Sequence, residues 1–394
     1  MRLAELVETS RRVAATRSRL EKVAQLATVI ARLPPSLVAT GTSYLAGELP
    51  QGRLGVGYAV LRALQSSGSA AVTPAQLDID EVDRTFTDIK AQAGAGAALR
   101  RTNLLGGLLA RATADEQAFL LRLVTGELRQ GALEGIVIEA VARAFAVPPA
   151  DVRRATMLAG GLPPVAEALA RQGAAGLTGF ALELFQPIQP MLADTADDVG
   201  DALERLGEAA FEYKLDGARV QVHKDGARVE VYSRALNRVT AAVPEIVERV
   251  AALPARRLIL DGEAIVLSAG GRPLPFQVTM RRFGRKLDVA GLRNTLPLAV
   301  SFFDVLRIDD DVLLDRPLTA RWEALGAATN GQDLVPRAVV SGGDAAGAGA
   351  FLARALADGH EGVVAKSLAA AYAAGRRGQD WLKLKAAHTL DLVV

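Results

Sequence analysis

Of the 46 basic residues in this chain only eight are lysines, and four of those fall in three short segments, "KLDGAR", "EGVVAK" and "WLKLK". Arginine replaces lysine nearly everywhere else. A codon bias explains that bluntly, but it also marks the surviving lysines as candidates for work that needs a compact amine able to lose its proton, which arginine cannot do. Lys214 sits in "AFEYKLDGARVQVHKDG", followed by Asp216, Gly217 and Arg219. A lysine amine attacks only once deprotonated, and neighbouring cations favour that loss. Lys383 and Lys385, two apart on a strand, share a face and could supply that field while binding phosphate. "YSRALNR" adds Arg234, and "LDGE" adds Asp261 and Glu263. Glu263, Asp304 and Glu361, read as strand ends, could hold Mg²⁺, which takes oxygen ligands and bridges phosphates. Phe303 beside Asp304 could stack on a base. Singly, each has a bland reading: a Lys-x-Asp-Gly turn, a core phenylalanine, a solvated charge. The ordered set is harder to obtain by chance.

These residues need elements to carry them. Val220 and Val222 alternate with Gln221 and His223, and the stretch closes at Asp225-Gly226. That predicts a hairpin, with a bend at Gly217 presenting Lys214 to a pocket. Further β-type runs follow in "RVEVYSR", "LILDGEAIVL", "LAVSFFDVL", "GVVAKS" and "WLKLK". Helical patterns such as "AVPEIVERVAAL" and "LTARWEALGAA" lie between them. The second half therefore reads as a mixed α+β domain.

Residues 1–183 read as all-helical. Leu20, Val23, Ala24, Ala27, Ile30 and Ala31 lie on one helical face that ends at Pro34-Pro35. Thr113 and Glu116 have capping-box spacing. An internal repeat is visible: "GELPQGRL" begins at Gly47 and "GELRQGAL" at Gly126. Glycines at helix junctions let backbone N–H groups approach an anion, so Gly47, Gly52, Gly126 and Gly131, with Arg129, could grip two backbone segments of a duplex. A duplicated packing turn explains the same pattern. The segment 184–194, "LFQPIQPMLAD", reads as a linker, 195–388 as the second domain, and 389–394 as the start of a further one.

Composition narrows the classes. The 394 residues allow two or three domains, and half of them are hydrophobic. Net charge is +2, with +3 up to Gln186 and −1 after it, so any polyanion contact must come from local clusters. The absence of cysteine excludes disulfides, thiolate zinc sites and cysteine nucleophiles. The charged N-terminus is no signal peptide, and no apolar run is long enough to span a bilayer. The expectation is a cytoplasmic, nucleoid-associated monomer with no membrane partner.

In order and spacing, "PIQPMLA", "KLDGAR", "FFDVL", "EGVVAK" and "WLKLK" resemble the nucleotidyltransferase motifs of the ATP-dependent DNA ligases. The helical half resembles the DNA-binding domain of the cellular, replicative type of that family, with "GELRQGALEG" close to its duplex-gripping segment. The likeness runs over essentially the whole chain. It implies an all-α DNA-binding domain followed by an α+β adenylation domain with antiparallel sheets. It implies ATP and Mg²⁺, nicked duplex DNA as substrate, and AMP carried covalently on Lys214. By the same resemblance Glu212 contacts the adenine amino group, and Arg219 and Arg234 hold phosphate or ribose. Glu263 contacts ribose or metal, and Glu361 binds metal. Phe303 and Val364 face the two sides of the adenine. Lys383 and Lys385 bind the α-phosphate, with Arg376 and Lys366 nearby. "RRFGRK" (281–286) reads as a surface basic loop whose Arg281, Arg282 and Arg285 touch DNA. The family's oligonucleotide-binding domain would begin at "HTLDLVV", so a shortened form is expected. Rival readings are an RNA ligase or capping-type nucleotidyltransferase, and a non-catalytic DNA-binding clamp. The helical repeat argues against the former and the complete motif set against the latter.

Overall fold

A computed structural model describes residues 1–66, 72–128, 134–268, 270–284, 289–373 and 377–385. The chain divides into two compact units, Met1–Ala181 and Leu182–Val394.

The first unit is helical. Its helices are Leu3–Ala15 (α1), Arg19–Ile30 (α2), Val38–Ala46 (α3), Tyr58–Ser66 (α4), Ile79–Ala91 (α5), Ala97–Leu109 (α6), Ala114–Thr125 (α7), Glu134–Ala144 (α8), Pro149–Leu158 (α9) and Leu162–Gln172 (α10). Local chemistry sets several ends. Thr113 and Glu116 form the reciprocal capping box that starts α7, and Ser18 caps α2. The repeat glycines end helices: Gly47 follows α3 at φ 80° and Gly126 follows α7 at φ 71°. In both copies the next residue's N–H reaches back to a carbonyl five residues earlier, Glu48 to Ser43 and Glu127 to Arg122. That is the left-handed helix stop that glycine favours. The core is continuous, running from Leu3 and Leu6 through Phe86 and Phe119 to Val165 and Leu169.

The second unit holds two five-stranded sheets. Its strands are Leu192–Thr195 (β1), Ala209–Lys214 (β2), Ala218–Asp225 (β3), Arg228–Ser233 (β4), Arg257–Val266 (β5), Leu298–Ile308 (β6), Asp311–Val312 (β7), Arg337–Val340 (β8), Gly362–Ser367 (β9) and Arg377–Lys385 (β10). The first sheet runs β1-β10-β9-β2-β8 and the second β4-β3-β5-β6-β7. All pairs are antiparallel except β1 with β10. Its helices are Val199–Leu206 (α11), Pro244–Ala251 (α12), Phe276–Phe283 (α13), Val289–Thr295 (α14), Leu318–Ala328 (α15) and Ala345–Ala357 (α16). Helices α11 and α16 contribute Leu203, Phe351 and Ala355 to the first sheet's core, and α12, α13 and α15 contribute Ile246, Phe283 and Leu325 to that of the second.

Two expectations change here. The segment around Lys214 is not one bent strand: Lys214 ends β2 in the first sheet, and β3 opens the second. Gly217 makes the crossing possible, because a Cβ there would lie 2.4 Å from the Ala264 carbonyl oxygen. The last three residues of the segment read as a linker, 192–194, belong with Thr195 to strand β1, paired with β10. Among the described residues no helix is long and apolar enough to cross a membrane.

Candidate active site

The end of β2, the mouth of β3 and the inner faces of β9 and β10 enclose a cavity of about 650 Å³ between the two sheets. Period-two alternation fills it. On β10 Leu382 and Leu384 turn into the core, which leaves Trp381, Lys383 and Lys385 on the cavity side. Strand β9 contributes Val364 and Lys366, and β2 contributes Glu212 and Lys214. Across the gap stand Arg219, Glu263 and Phe303, while Arg234 lies just beyond β4.

At one end Glu361 is the centre. Its two carboxylate oxygens pair with Lys214 Nζ and with Lys385 Nζ. The backbone fixes this meeting, since Glu361 N–H donates to the Lys214 carbonyl at 3.1 Å. Burial pushes the Glu361 carboxyl up, but the two ammonium bonds outweigh it and hold it below the usual range. Glu263 behaves differently. Burial dominates, and despite Arg219 and Lys214 nearby its carboxyl is pushed up to about 7.

The other end is drier. Arg337 Nε donates to Glu212 Oε1 at 2.7 Å, and Lys366 Nζ stands 2.5 Å from Glu212 Oε2. The Lys366 ammonium also lies 4.6 Å from the Phe303 ring centre and 4.1 Å from that of Trp381. Burial outweighs the Glu212 charge and lowers the lysine from its ordinary value. Phe303 is partly exposed to the cavity and meets Trp381 edge-on at 6.1 Å.

Several sequence expectations are corrected by burial. Asp304 is no metal candidate: it is fully buried mid-strand in a two-bond pair with Arg321 at 2.7 and 3.0 Å. Arg282 is not on a surface loop. It lies in α13, fully buried, bonded to Glu245 at 2.7 and 2.9 Å and to the Ala242 carbonyl. Arg281 on the same helix is exposed. Arg219 reaches the cavity wall, but Nε and Nη2 bond Asp261 at 3.0 and 2.6 Å and Nη1 bonds the Met191 carbonyl at 2.6 Å. Arg129, Gly131, Arg285 and Arg376 lie outside the described residues. Gly52 has φ 63°, and a Cβ there would meet nothing within 4 Å.

Trp381, Phe276 and Met280 at the cavity wall, and Arg337 and Tyr372 behind it, were not singled out from sequence. Trp381 was reachable, since alternation puts it on the face of Lys383. Tyr372 stands in an alanine-rich stretch with no periodicity to flag it.

Among known proteins, residues 190–385 match the family described as "ATP dependent DNA ligase domain" and residues 56–142 that described as "DNA ligase N terminus". A "Probable DNA ligase" of Anaeromyxobacter sp. (strain Fw109-5) is 60% identical over all of this chain and 75% of its own length. A protein of the same description from Anaeromyxobacter dehalogenans (strain 2CP-C) is 56% identical, again over all of this chain and 77% of its own. A solved structure described as "Pmar-Lig_Pre" shares the fold at TM-score 0.61 and 18% identity, covering 97% of this chain and 78% of that one.

Proposed function

This chain belongs to the ATP-dependent DNA ligase family, and on that premise we propose that Lys214 takes AMP from ATP and that the enzyme uses it to seal nicks in duplex DNA. The observation that carries the reading is the Lys214–Glu361–Lys385 contact at one end of a cavity whose other end is walled by Phe303, Val364 and Glu212.

Three steps balance the chemistry. The Lys214 amine, having given one proton to solvent, attacks the α-phosphorus of ATP; an N–P bond forms, the bond to pyrophosphate breaks, and a second proton leaves the nitrogen for solvent. A 5′-phosphate oxygen at the nick then attacks the same phosphorus, the nitrogen regains a proton from solvent as the N–P bond breaks, and the Lys214 amine is returned. The 3′-hydroxyl oxygen attacks the activated 5′-phosphorus, AMP leaves, and the hydroxyl proton passes to solvent. Lys383 and Lys385 hold phosphate oxygens, and Arg234 sits where ribose or phosphate would lie. Phe303 and Val364 take opposite faces of the adenine. Glu212 Oε1 accepts from both Nε and Nη2 of Arg337, while Oε2, which pairs with Lys366, keeps a lone pair for the adenine amino group, since each carboxylate oxygen accepts about two bonds. Positioning and charge stabilisation supply most of the rate.

Glu263 and Glu361 fit a Mg²⁺ ion. Both carboxylates open on the cavity, and magnesium is held by one or two protein carboxylates plus substrate phosphates rather than by a full protein cage. Among the described residues there is no cluster of three or more acidic or histidine ligands that would suggest such a cage. The ion would withdraw charge from the phosphate oxygens. Gly52 and the two repeat segments of the helical unit are assigned to the duplex backbone. The enzyme works as a monomer, at the nucleoid.

The test is mass spectrometry after incubation with ATP and Mg²⁺. An AMP adduct mapped to Lys214 supports the reading. No adduct would end it, if the lack persists when the chain is extended by the remaining quarter of its relatives' length.

A further inference from the structure

We infer that Tyr372, which does not line the cavity, is a positioning residue that sets the cavity's width by joining the two sheets behind its wall. The two sheets share no strand, so their spacing must be fixed by side chains and by the segments that pass between them. Tyr372 is fully buried in the segment between β9 and β10. Its hydroxyl donates to Asp261 Oδ2 at 2.7 Å, accepts the Met191 N–H at 3.1 Å, and accepts from Arg219 Nη2 at 3.3 Å. Burial first, then the Asp261 charge, hold the phenol well above its ordinary range, so it remains a donor.

Met191 is therefore held at both backbone groups. Tyr372 takes its N–H and Arg219 its carbonyl. The next two residues, Leu192 and Ala193, line the cavity and open β1, whose Thr195 pairs with Lys383. Trp381 stands edge-on to Tyr372 at 6.1 Å as well as to Phe303. One buried tyrosine thus connects β3 and β5 of the second sheet, through its hydroxyl, to the residue that leads into β1 and, through its ring, to Trp381 of β10 in the first. In a dry interior such a network is strong when complete, and costly once a member is left unpaired. The three bonded nitrogens of Arg219 belong to it, which directs that arginine's effect on the nucleotide through Met191.

The inference rests on the cavity being the ATP site. Three variants of the whole chain test it: Tyr372→Phe, Asp261→Asn and the double. ATP affinity is read by calorimetry, and amide hydrogen exchange is followed over residues 187–195. Each single variant is expected to weaken ATP binding about 3–10-fold, the size of one buried hydrogen bond, and to speed exchange across 187–195 with none in the helical unit. The double variant should be no weaker than the weaker single, because the residues act as a unit. Wild-type ATP affinity and unchanged exchange in Tyr372→Phe would overturn the inference, as would effects that multiply in the double. Should Tyr372→Phe not fold, Asp261→Asn decides by the same two readings. If the unaltered chain binds no ATP, the assignment of the cavity fails instead, and exchange over 187–195 still judges the network.

Discussion

At one end of the cavity Glu361 holds Lys214 and Lys385; at the other Glu212 holds Lys366 and Arg337. Both are a carboxylate between two cations, but their solvation differs. The Glu361 side chain is 24% exposed and Lys385 48%, whereas Glu212 is 3% and Lys366 2%. A wet cluster can exchange partners, so phosphate or metal can replace one of its ion pairs at small cost. A dry one cannot, because each member removed leaves the others unpaired in a poor solvent. The Glu361 end is therefore free to rearrange, and the Glu212 end is built to stay as it is.

The largest expected effect tests the wet end. Lys214→Arg keeps the charge but removes the amine that can lose its proton. Transfer of labelled AMP from ATP should disappear, while sealing of a pre-adenylated nick persists in part. Equal loss of both would deny Lys214 a covalent role. The next compares the ends directly. Glu212→Gln should destabilise the fold by about 3–5 kcal/mol in urea unfolding, the scale of a broken buried pair. Glu361→Gln should cost no more than about 1 kcal/mol. Equal costs would erase the distinction between the two ends.

Much of the wet end was legible in sequence. Lys383 and Lys385 share a face by alternation alone, and short hairpin-forming strands around "KLDGAR" follow from period two and the Asp225-Gly226 turn. At the dry end Glu212, Phe303, Val364 and Lys366 came from the family resemblance, and the buried pairing with Arg337 was not legible. Nothing local distinguishes Asp304, which faces Arg321 in the core, from Glu361, which faces the cavity. Each belongs to a β-type run, and the partner lies 17 residues away in one case and 147 in the other. Arg282 failed for the same reason: "RRFGRK" looks solvated until Glu245 is brought against it. Burial of a charge depends on its long-range partner, and a periodicity does not contain that. The helix stops at Gly47 and Gly126 were readable because a stop is local.

Between the two ends stands Glu263, and pH should expose it. Its folded pKa of about 7 lies above the ordinary glutamate value of 4.5. Between those values the folded chain holds a proton that the unfolded chain has lost, so this group's contribution to stability falls as pH rises from 4.5 to 7 and is level above that. Glu263→Gln should remove the decline, worth up to about 3 kcal/mol at roughly 1.4 kcal/mol per unit. Unfolding at pH 5 and pH 8 measures it; identical slopes in both proteins would refute the burial effect. Phe303→Ala follows in size. Loss of a stacking face should weaken ATP binding by about 1–3 kcal/mol. A fall in melting temperature with unchanged ATP affinity would return Phe303 to the core.

The smallest effect carries the comparison into the helical unit, where glycines of one repeat do different work. Gly126 is a left-handed helix stop with open space around it, and Gly47 is the same stop with the Leu128 Cβ 3.4 Å from where its own would be. A Cβ at either is strained by backbone conformation rather than by collision, at about 1 kcal/mol. Gly126→Ala should lower stability by that amount in a melt and leave duplex affinity at matched folded fraction unchanged. Gly52 sits in a turn closed by its own N–H to the Leu49 carbonyl at 2.8 Å, and faces nothing within 4 Å. A bulky side chain there carries the same backbone strain as at Gly126, since φ is 63°, and meets no protein, but on the proposed duplex assignment it would meet a phosphate backbone, so binding is compared at matched folded fraction. Gly52→Leu should therefore weaken binding of a nicked duplex, and reduce its salt dependence as backbone contacts are lost, with ATP affinity unaltered. Unchanged duplex binding in Gly52→Leu would leave both repeats as helix stops and nothing more.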